Sequence, residues 1–146
     1  VSPSEQQRPR FHLAFPVHDL EAAEAFYTGV LGCKQGRRDA RWIDFDFYGH
    51  QIVAHLTKIE DANTGNLVDN KNVPVPHFGL ILAWSEWEAV AQNLRKINVI
   101  FEIDPYIRFK GQKGEQATMF FRDPSGNAIE IKAFRDESQI FEKQVT

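Results

Sequence analysis

Apolar positions change their period repeatedly between residues 10 and 57, and each change marks an element. Residues 10–17 form a short apolar-rich run that Pro16 confines to a sheet edge. Asp19 stands where a helix N-cap belongs, and Ala23, Phe26, Tyr27, Val30 and Leu31 follow at helical spacing until Gly32 stops them. Residues 33–35 predict a short edge strand and residues 36–39 a polar turn. Trp42, Ile43, Phe45, Phe47 and Tyr48 predict a strand, Gly49 and His50 a turn, and residues 51–57 the second arm of a hairpin. The order is β, α, β, β, β.

Residues 58–76 are rich in Asn, Asp, Gly and Pro and predict a connector rather than a packed element. Beyond them the order recurs. Residues 77–83 form an apolar strand, and Ser85 with Glu88 reads as a capping box that opens a helix reaching residue 97. Three further runs, 99–107, 115–122 and 128–134, are separated by residues 111–114 and by Asp123-Pro124-Ser125-Gly126. The expectation is an α+β chain that uses one βαβββ pattern twice: a polar tail over 1–9, a first module over 10–57, the connector over 58–76, a second module over 77–134, and a partly helical tail over 135–146.

The 146 residues suit one compact domain overall, and 42% apolar with 25% charged residues suits a folded one. A net charge of −3 argues against a phosphate-binding surface as the main business of the protein, so no nucleic-acid partner is expected. Cys33 is the sole cysteine and cannot form an intrachain disulfide, which fits a reducing compartment. No run approaches the ~18 apolar residues that would span a bilayer, and the first ten residues lack a signal peptide's apolar core. A soluble, cytoplasmic protein without a membrane partner is expected, although a chain beginning at Val1 leaves an upstream targeting segment open.

Few soft or borderline metal ligands are available beyond five histidines. His12 lies in the first strand of the first half and His77 begins the equivalent strand of the second; in a two-fold arrangement such positions would face each other. Glu130 sits mid-strand in Ala128-Ile129-Glu130-Ile131-Lys132, where the isoleucines share one face and Glu130 and Lys132 the other. A carboxylate there is costly to bury unless it is paired or binds a cation. His55 occupies the last strand of the first half, the counterpart of the strand carrying Glu130. His18 and His50, beside a helix cap and in a turn, fit a structural or exposed role. The other three histidines and Glu130, all in strands and at matched places, form a candidate metal site.

The segment His12-Leu13-Ala14-Phe15-Pro16-Val17-His18-Asp19-Leu20, with Ala25-Phe26-Tyr27 and Val30-Leu31-Gly32, resembles the opening of the vicinal oxygen chelate superfamily, which includes glyoxalase I, bleomycin- and fosfomycin-resistance proteins and extradiol dioxygenases. The ending Phe121-Arg122-Asp123-Pro124-Ser125-Gly126-Asn127-Ala128-Ile129-Glu130 is similar to its other signature, in which the glutamate is a metal ligand. Trp42-Ile43-Asp44-Phe45-Asp46-Phe47, Val75-Pro76-His77-Phe78-Gly79 and Gly114-Glu115-Gln116-Ala117-Thr118-Met119-Phe120-Phe121 resemble a bacterial subgroup described as predicted extradiol-type dioxygenases. The resemblance implies paired βαβββ modules whose curved sheets enclose a divalent metal. It makes His12, His77 and Glu130 the shared ligands and puts His55 where glyoxalase I places a further ligand, a glutamate in many members.

Two histidines and one carboxylate leave three open positions on an octahedral ion, the arrangement of Fe(II) oxygenases that act on small aromatic diols. A fourth ligand at His55 would suit instead a lyase or isomerase using Ni, Co, Zn or Mn as a Lewis acid. A His55 standing free of the ion would serve as general acid or base. A third reading, a protein that sequesters a small molecule without turnover, has no need of an open-coordinate metal. Arg108, with Arg41 and Lys110, could steer an anionic substrate, and Tyr106, Phe109, Met119 and Phe121 could wall an aromatic pocket. Exposed sheet edges favour pairing, so a homodimer is expected.

Overall fold

The computed structural model describes residues 8–58 and 64–144. Most of the polar N-terminal tail, part of the connector and the last two residues therefore lie outside the described residues. The chain divides into two compact units, Val1–Asp61 and Ala62–Thr146.

The first unit carries β1 (His12–Val17), α1 (Leu20–Glu24), β2 (Lys34–Arg38), β3 (Trp42–Phe47) and β4 (His50–Leu56). Its sheet has the order β1-β4-β3-β2, with β1 and β4 parallel and the rest antiparallel. Pro16 lies on an edge strand, where a missing N–H is tolerated. Asp19 caps α1 by accepting from the Ala22 N–H. The helical run continues to Val30, but over Ala25–Val30 as a wider π turn in which the Leu31 N–H reaches the Phe26 carbonyl. Local chemistry explains the widening: the Thr28 hydroxyl takes the Glu24 carbonyl at 2.6 Å, and Gly29 adds a weak helix former. Gly32 ends the run at φ +71°. Tyr27, fully buried, stacks within 5.3 Å of Phe15, Phe26 and Phe45 and ties helix to sheet. Two expectations need correction. Gly36, Arg37 and Arg38 belong to β2, which bulges against β3, and His50 opens β4 because Tyr48 and Gly49 make the turn.

The second unit carries the hairpin β5 (Thr64–Val68) and β6 (Lys71–Val75), then β7 (Phe78–Leu82), α2 (Trp84–Lys96), β8 (Phe101–Arg108), β9 (Gln116–Arg122) and β10 (Ala128–Phe134). Its main sheet repeats the first in mixed order, β7-β10-β9-β8, with β7 and β10 parallel. The hairpin corrects the expectation of an unpacked connector: Asp69 and Asn70 both adopt positive φ, the turn geometry that joins two strands with matching twist. The capping box also fails. Ala83 is the N-cap and makes no side-chain bond, while Ser85 already lies inside α2. Trp84 and Trp87 set the start instead, one under the Arg135 guanidinium at 3.6 Å, the other donating its indole N–H to the Ile131 carbonyl. A 3-10 turn over Glu137–Gln139 is the helical part of the tail. Both units are thus built of a mixed four-stranded sheet with a helix on one face, the α+β arrangement expected.

Candidate metal centre

In the second unit the sheet face opposite α2 collects the polar groups. Glu130 pairs in register with Gly79 on β7 and Phe120 on β9, and Lys132 with Ile81 and Thr118. Facing residues of neighbouring strands share a side, so Glu130, Lys132, Thr118 and Phe120 form one surface. Gly79 is required there: a Cβ would lie 1.5 Å from the Glu130 carbonyl oxygen. His77, just before β7, points its Nε2 at Glu130 Oε1, 3.2 Å away, and packs edge-on against the Phe120 ring. Thr118 donates to Glu130 Oε2 at 2.5 Å. Met119 and Phe121, expected to wall a pocket, are fully buried on the other side with Ile129 and Ile131, whereas Thr118 and Phe120, also buried, lie on the side of Glu130.

Hydrogen bonds fix which histidine nitrogen is available. Nδ1 of His77 lies 2.7 Å from the Pro74 carbonyl, which only accepts, so Nδ1 carries a proton, and Nε2 either donates a second proton to Glu130 or, once that proton has left, presents its lone pair. The Glu130 hydrogen bond is the chief reason that the His77 imidazole titrates above the ordinary histidine range. For Glu130, burial is the largest influence and pushes its pKa up, but His77, Thr118 and Lys132 together outweigh it and hold the carboxyl below its ordinary range.

In the first unit, His12 makes the same kind of contact. Its Nδ1 lies 2.7 Å from Gln51 Oε1, and the Gln51 amide N–H donates to Asp44 Oδ2. A carboxylate accepting from the amide nitrogen turns the amide oxygen toward His12, so Nδ1 is again the protonated nitrogen and Nε2 the free one. His50 is different: its Nδ1 accepts the Phe11 backbone N–H, a structural role.

His55 lies on β4, the counterpart of the strand that carries Glu130, and its register there can be compared with that of Glu130. Glu130 pairs with the residue two positions beyond His77; the same step from His12 leads to Ala14, whose partner on β4 is Val53, a buried apolar residue. His55 pairs with Pro16, two residues further on. It shares the face of Gln51 but lies roughly 13 Å of strand away from it.

The hairpin contributes beyond Pro74. Asp69 Oδ2 accepts from the Tyr106 hydroxyl at 2.8 Å and from Arg108 Nε at 2.6 Å, which holds its carboxyl below the ordinary range, Tyr106 being the larger cause. Burial and the Asp69 contact push the Tyr106 hydroxyl up to about 12. Arg108, expected to steer an anion, is therefore already engaged, and its guanidinium covers the Phe109 ring. A cavity of about 410 Å³ opens beside this clamp, lined by Lys71, Asn72, Glu102, Ile103, Asp104, Pro105 and Tyr106. Burial raises the Cys33 thiol to about 12, so it is no nucleophile.

Residues 11–131 match the model of the Glyoxalase/Bleomycin resistance protein/Dioxygenase superfamily. The chain belongs to that superfamily. Among similar solved structures, a glyoxalase/bleomycin resistance protein/dioxygenase from Alicyclobacillus acidocaldarius is 32% identical, covers 91% of this chain and 96% of its own, and superposes with a TM-score of 0.77. A lactoylglutathione lyase from Agrobacterium tumefaciens (18% identity, coverage 90% and 96%, TM-score 0.60) and a genomically encoded fosfomycin resistance protein from Listeria monocytogenes (16%, 86% and 93%, 0.62) share the fold. The superfamily consists mostly of metal-dependent enzymes.

A divalent metal fits the donors present. Two ligands at ~2.1 Å from one ion stand about 3.0 Å apart at octahedral angles and about 3.4 Å apart at tetrahedral ones. The 3.2 Å between His77 Nε2 and Glu130 Oε1 falls between. Among the described residues no three His, Cys, Asp or Glu side chains are gathered as a metal cluster, so the ligand pair seen together is His77 and Glu130. Sequence reasoning missed Gln51, Asp44 and Thr118. Thr118 was signalled by being the polar member of Ala117-Thr118-Met119-Phe120-Phe121; nothing marked Gln51 until the register was known.

Proposed function

We propose that the chain is a divalent-metal enzyme with His12, His77 and Glu130 as ligands and Fe(II) as the preferred ion, acting as an extradiol-type dioxygenase on a small aromatic diol. The observation that carries this reading is Val53. An apolar side chain at the register position of Glu130 leaves two imidazoles and one carboxylate, which vacates three coordination positions for a chelating diol and O₂. Such an ion, when bound, would supply Lewis-acid activation of the diol and the redox chemistry that reaction with O₂ requires.

The protein's own part is orientation and proton handling. Gln51 and the Pro74 carbonyl hold the two imidazoles in the tautomer that offers Nε2, Thr118 keeps the Glu130 carboxylate turned, and Phe120 supplies an apolar wall beside it. His55, outside the ligand set and exposed, is the general acid or base of this reading. The chain works as a homodimer joined through exposed sheet edges, which light scattering would show as twice the 16.8 kDa chain mass.

Fe(II)-loaded protein should consume O₂ with a panel of catechols and yield products absorbing at longer wavelength. The competing lyase, with Ni, Co, Zn or Mn, would convert a hemithioacetal without O₂. Anaerobic turnover with no O₂ uptake would overturn the dioxygenase.

A further inference from the structure

The β5–β6 hairpin is fastened to the rest of its unit at its two ends. Its strands pair with each other over five positions and, among the described residues, with no other strand. At the base the Pro74 carbonyl accepts from His77 Nδ1, 2.7 Å away, where the chain enters β7. At the tip Asp69 Oδ2 accepts from the Tyr106 hydroxyl at 2.8 Å and from Arg108 Nε at 2.6 Å, and the Lys71 ammonium lies 4.7 Å from the Tyr106 ring centre. Because β7 and β8 are opposite edges of the sheet β7-β10-β9-β8, base and tip stand on either side of the strand that carries Glu130. Three strand spacings separate those edges, about 14 Å, and a five-residue strand reaches about 16 Å. Both ends also share one face. His77 points at Glu130, Tyr106 pairs in register with Thr118, and the Glu130 charge adds a little to the burial and the Asp69 contact that push the Tyr106 hydroxyl up. The hairpin therefore crosses the face that carries Glu130.

We infer that the β5–β6 hairpin is a strap that swings off this face to admit ions and substrate to His77 and Glu130, with Asp69 as its latch. The tip is the end that lets go. Arg108 and Asp69 keep 21% and 38% of their side-chain surface exposed, and an ion pair in contact with water is a weak tie that salt screens. Beside the latch the strap is not packed onto the sheet: the cavity of about 410 Å³ has Lys71 and Asn72 of β6 on one wall and residues 102–106 of β8 on the other. The base is held by its covalent continuity with β7 and acts as the pivot. Unlatching thus leaves the Pro74–His77 contact in place and changes how fast ligands come and go rather than how tightly they bind. The strap rests on the metal reading above only through the zinc arm of its test.

Spin labels on Leu67→Cys and Gln92→Cys, both exposed, one on β5 and the other on α2 behind the sheet, would report the strap's position by double electron–electron resonance without any metal; Cys33 is buried and stays unlabelled. With the latch intact, one main distance should be seen at ~0.05 M salt and a second, longer population at ~1 M. Tyr106→Phe combined with Arg108→Met removes both donors, spares the Asp69–Asn70 turn and should show the longer population at either salt. Asp69→Asn, which keeps the shape and loses the charge, should fall between. In the double variant zinc uptake and zinc release to excess chelator should both quicken roughly tenfold, with Kd unchanged within about twofold. A single, unaltered distance in the double variant would overturn the latch. Longer distances with unchanged zinc rates would overturn the gate, as would a weakened Kd with unchanged uptake, the mark of a distorted site. Protein that takes up no zinc would overturn the metal reading, and the label distances alone would then decide the strap.

Discussion

A proton and a divalent ion compete for one nitrogen of His77. In the metal-free protein the Glu130 contact raises the imidazole's pKa, so its contribution to stability is fully present below the unfolded value of ~6.5 and is lost as pH rises through the higher folded value. Glu130 runs the other way. Its lowered pKa gives stability that is present above the unfolded ~4.3 and disappears as pH falls through the folded value. The pair therefore supports the metal-free fold best between those two unfolded values. Urea melts across pH 4 to 9 should show stability declining on the alkaline side in the unaltered protein and a flatter limb in His77→Gln; identical slopes would mean the pair carries no linkage. Metal affinity should fall with acid around a pKa above 6.5, because the proton on His77 must leave first.

At the scale of elements, most of the fold was legible in residue order. The strands β3, β9 and β10, the cap at Asp19 and the stop at Gly32 follow from alternation and local chemistry, and the structure places them within a residue or two. Long-range features were not legible. A loop-like composition concealed the β5–β6 hairpin because its strands are polar, and the Ser85–Glu88 pattern lost to the packing of Trp84 and Trp87. The register of His55 was not legible either: it lies two residues beyond Val53 along β4, a step that preserves the face and displaces the side chain by about 7 Å. His77 and Glu130 could be picked from sequence because each is anomalous where it stands; Val53 is an ordinary strand residue, informative only through its partner. Gly79 is the strictest element-level requirement. In Gly79→Ala the new methyl meets backbone rather than a movable side chain, so β7 must part from β10. The variant should lose about 3 kcal/mol by urea denaturation, at the upper end of overpacking effects, together with the His77–Glu130 contact. A loss below about 0.5 kcal/mol would show that the two strands separate freely.

Across the whole molecule the two units repeat one plan with unequal chemistry. The second brings two donors together on a face backed by Thr118 and Lys132, whereas the first offers one histidine held by Gln51 and Asp44. That inequality matters for how a metal would act on the fold. An ion that binds only the folded state stabilises it by RT ln(1 + [L]/Kd), about 2.7 kcal/mol at a hundredfold excess over Kd. For a chain of this length that corresponds to a rise in Tm of roughly 5–10 °C. Thermal melts with and without a divalent ion should show this rise in the unaltered protein, and His12→Ala, His77→Ala and Glu130→Ala should each abolish most of it. His50→Ala should melt earlier, having lost its bond to the Phe11 N–H, yet keep the full metal-dependent increment. His55→Ala should keep the increment as well, because Val53 and not His55 stands at the ligand register. If His55→Ala loses it, the ligand set has four members, three open positions become two, and the chemistry moves from O₂ toward the lyase.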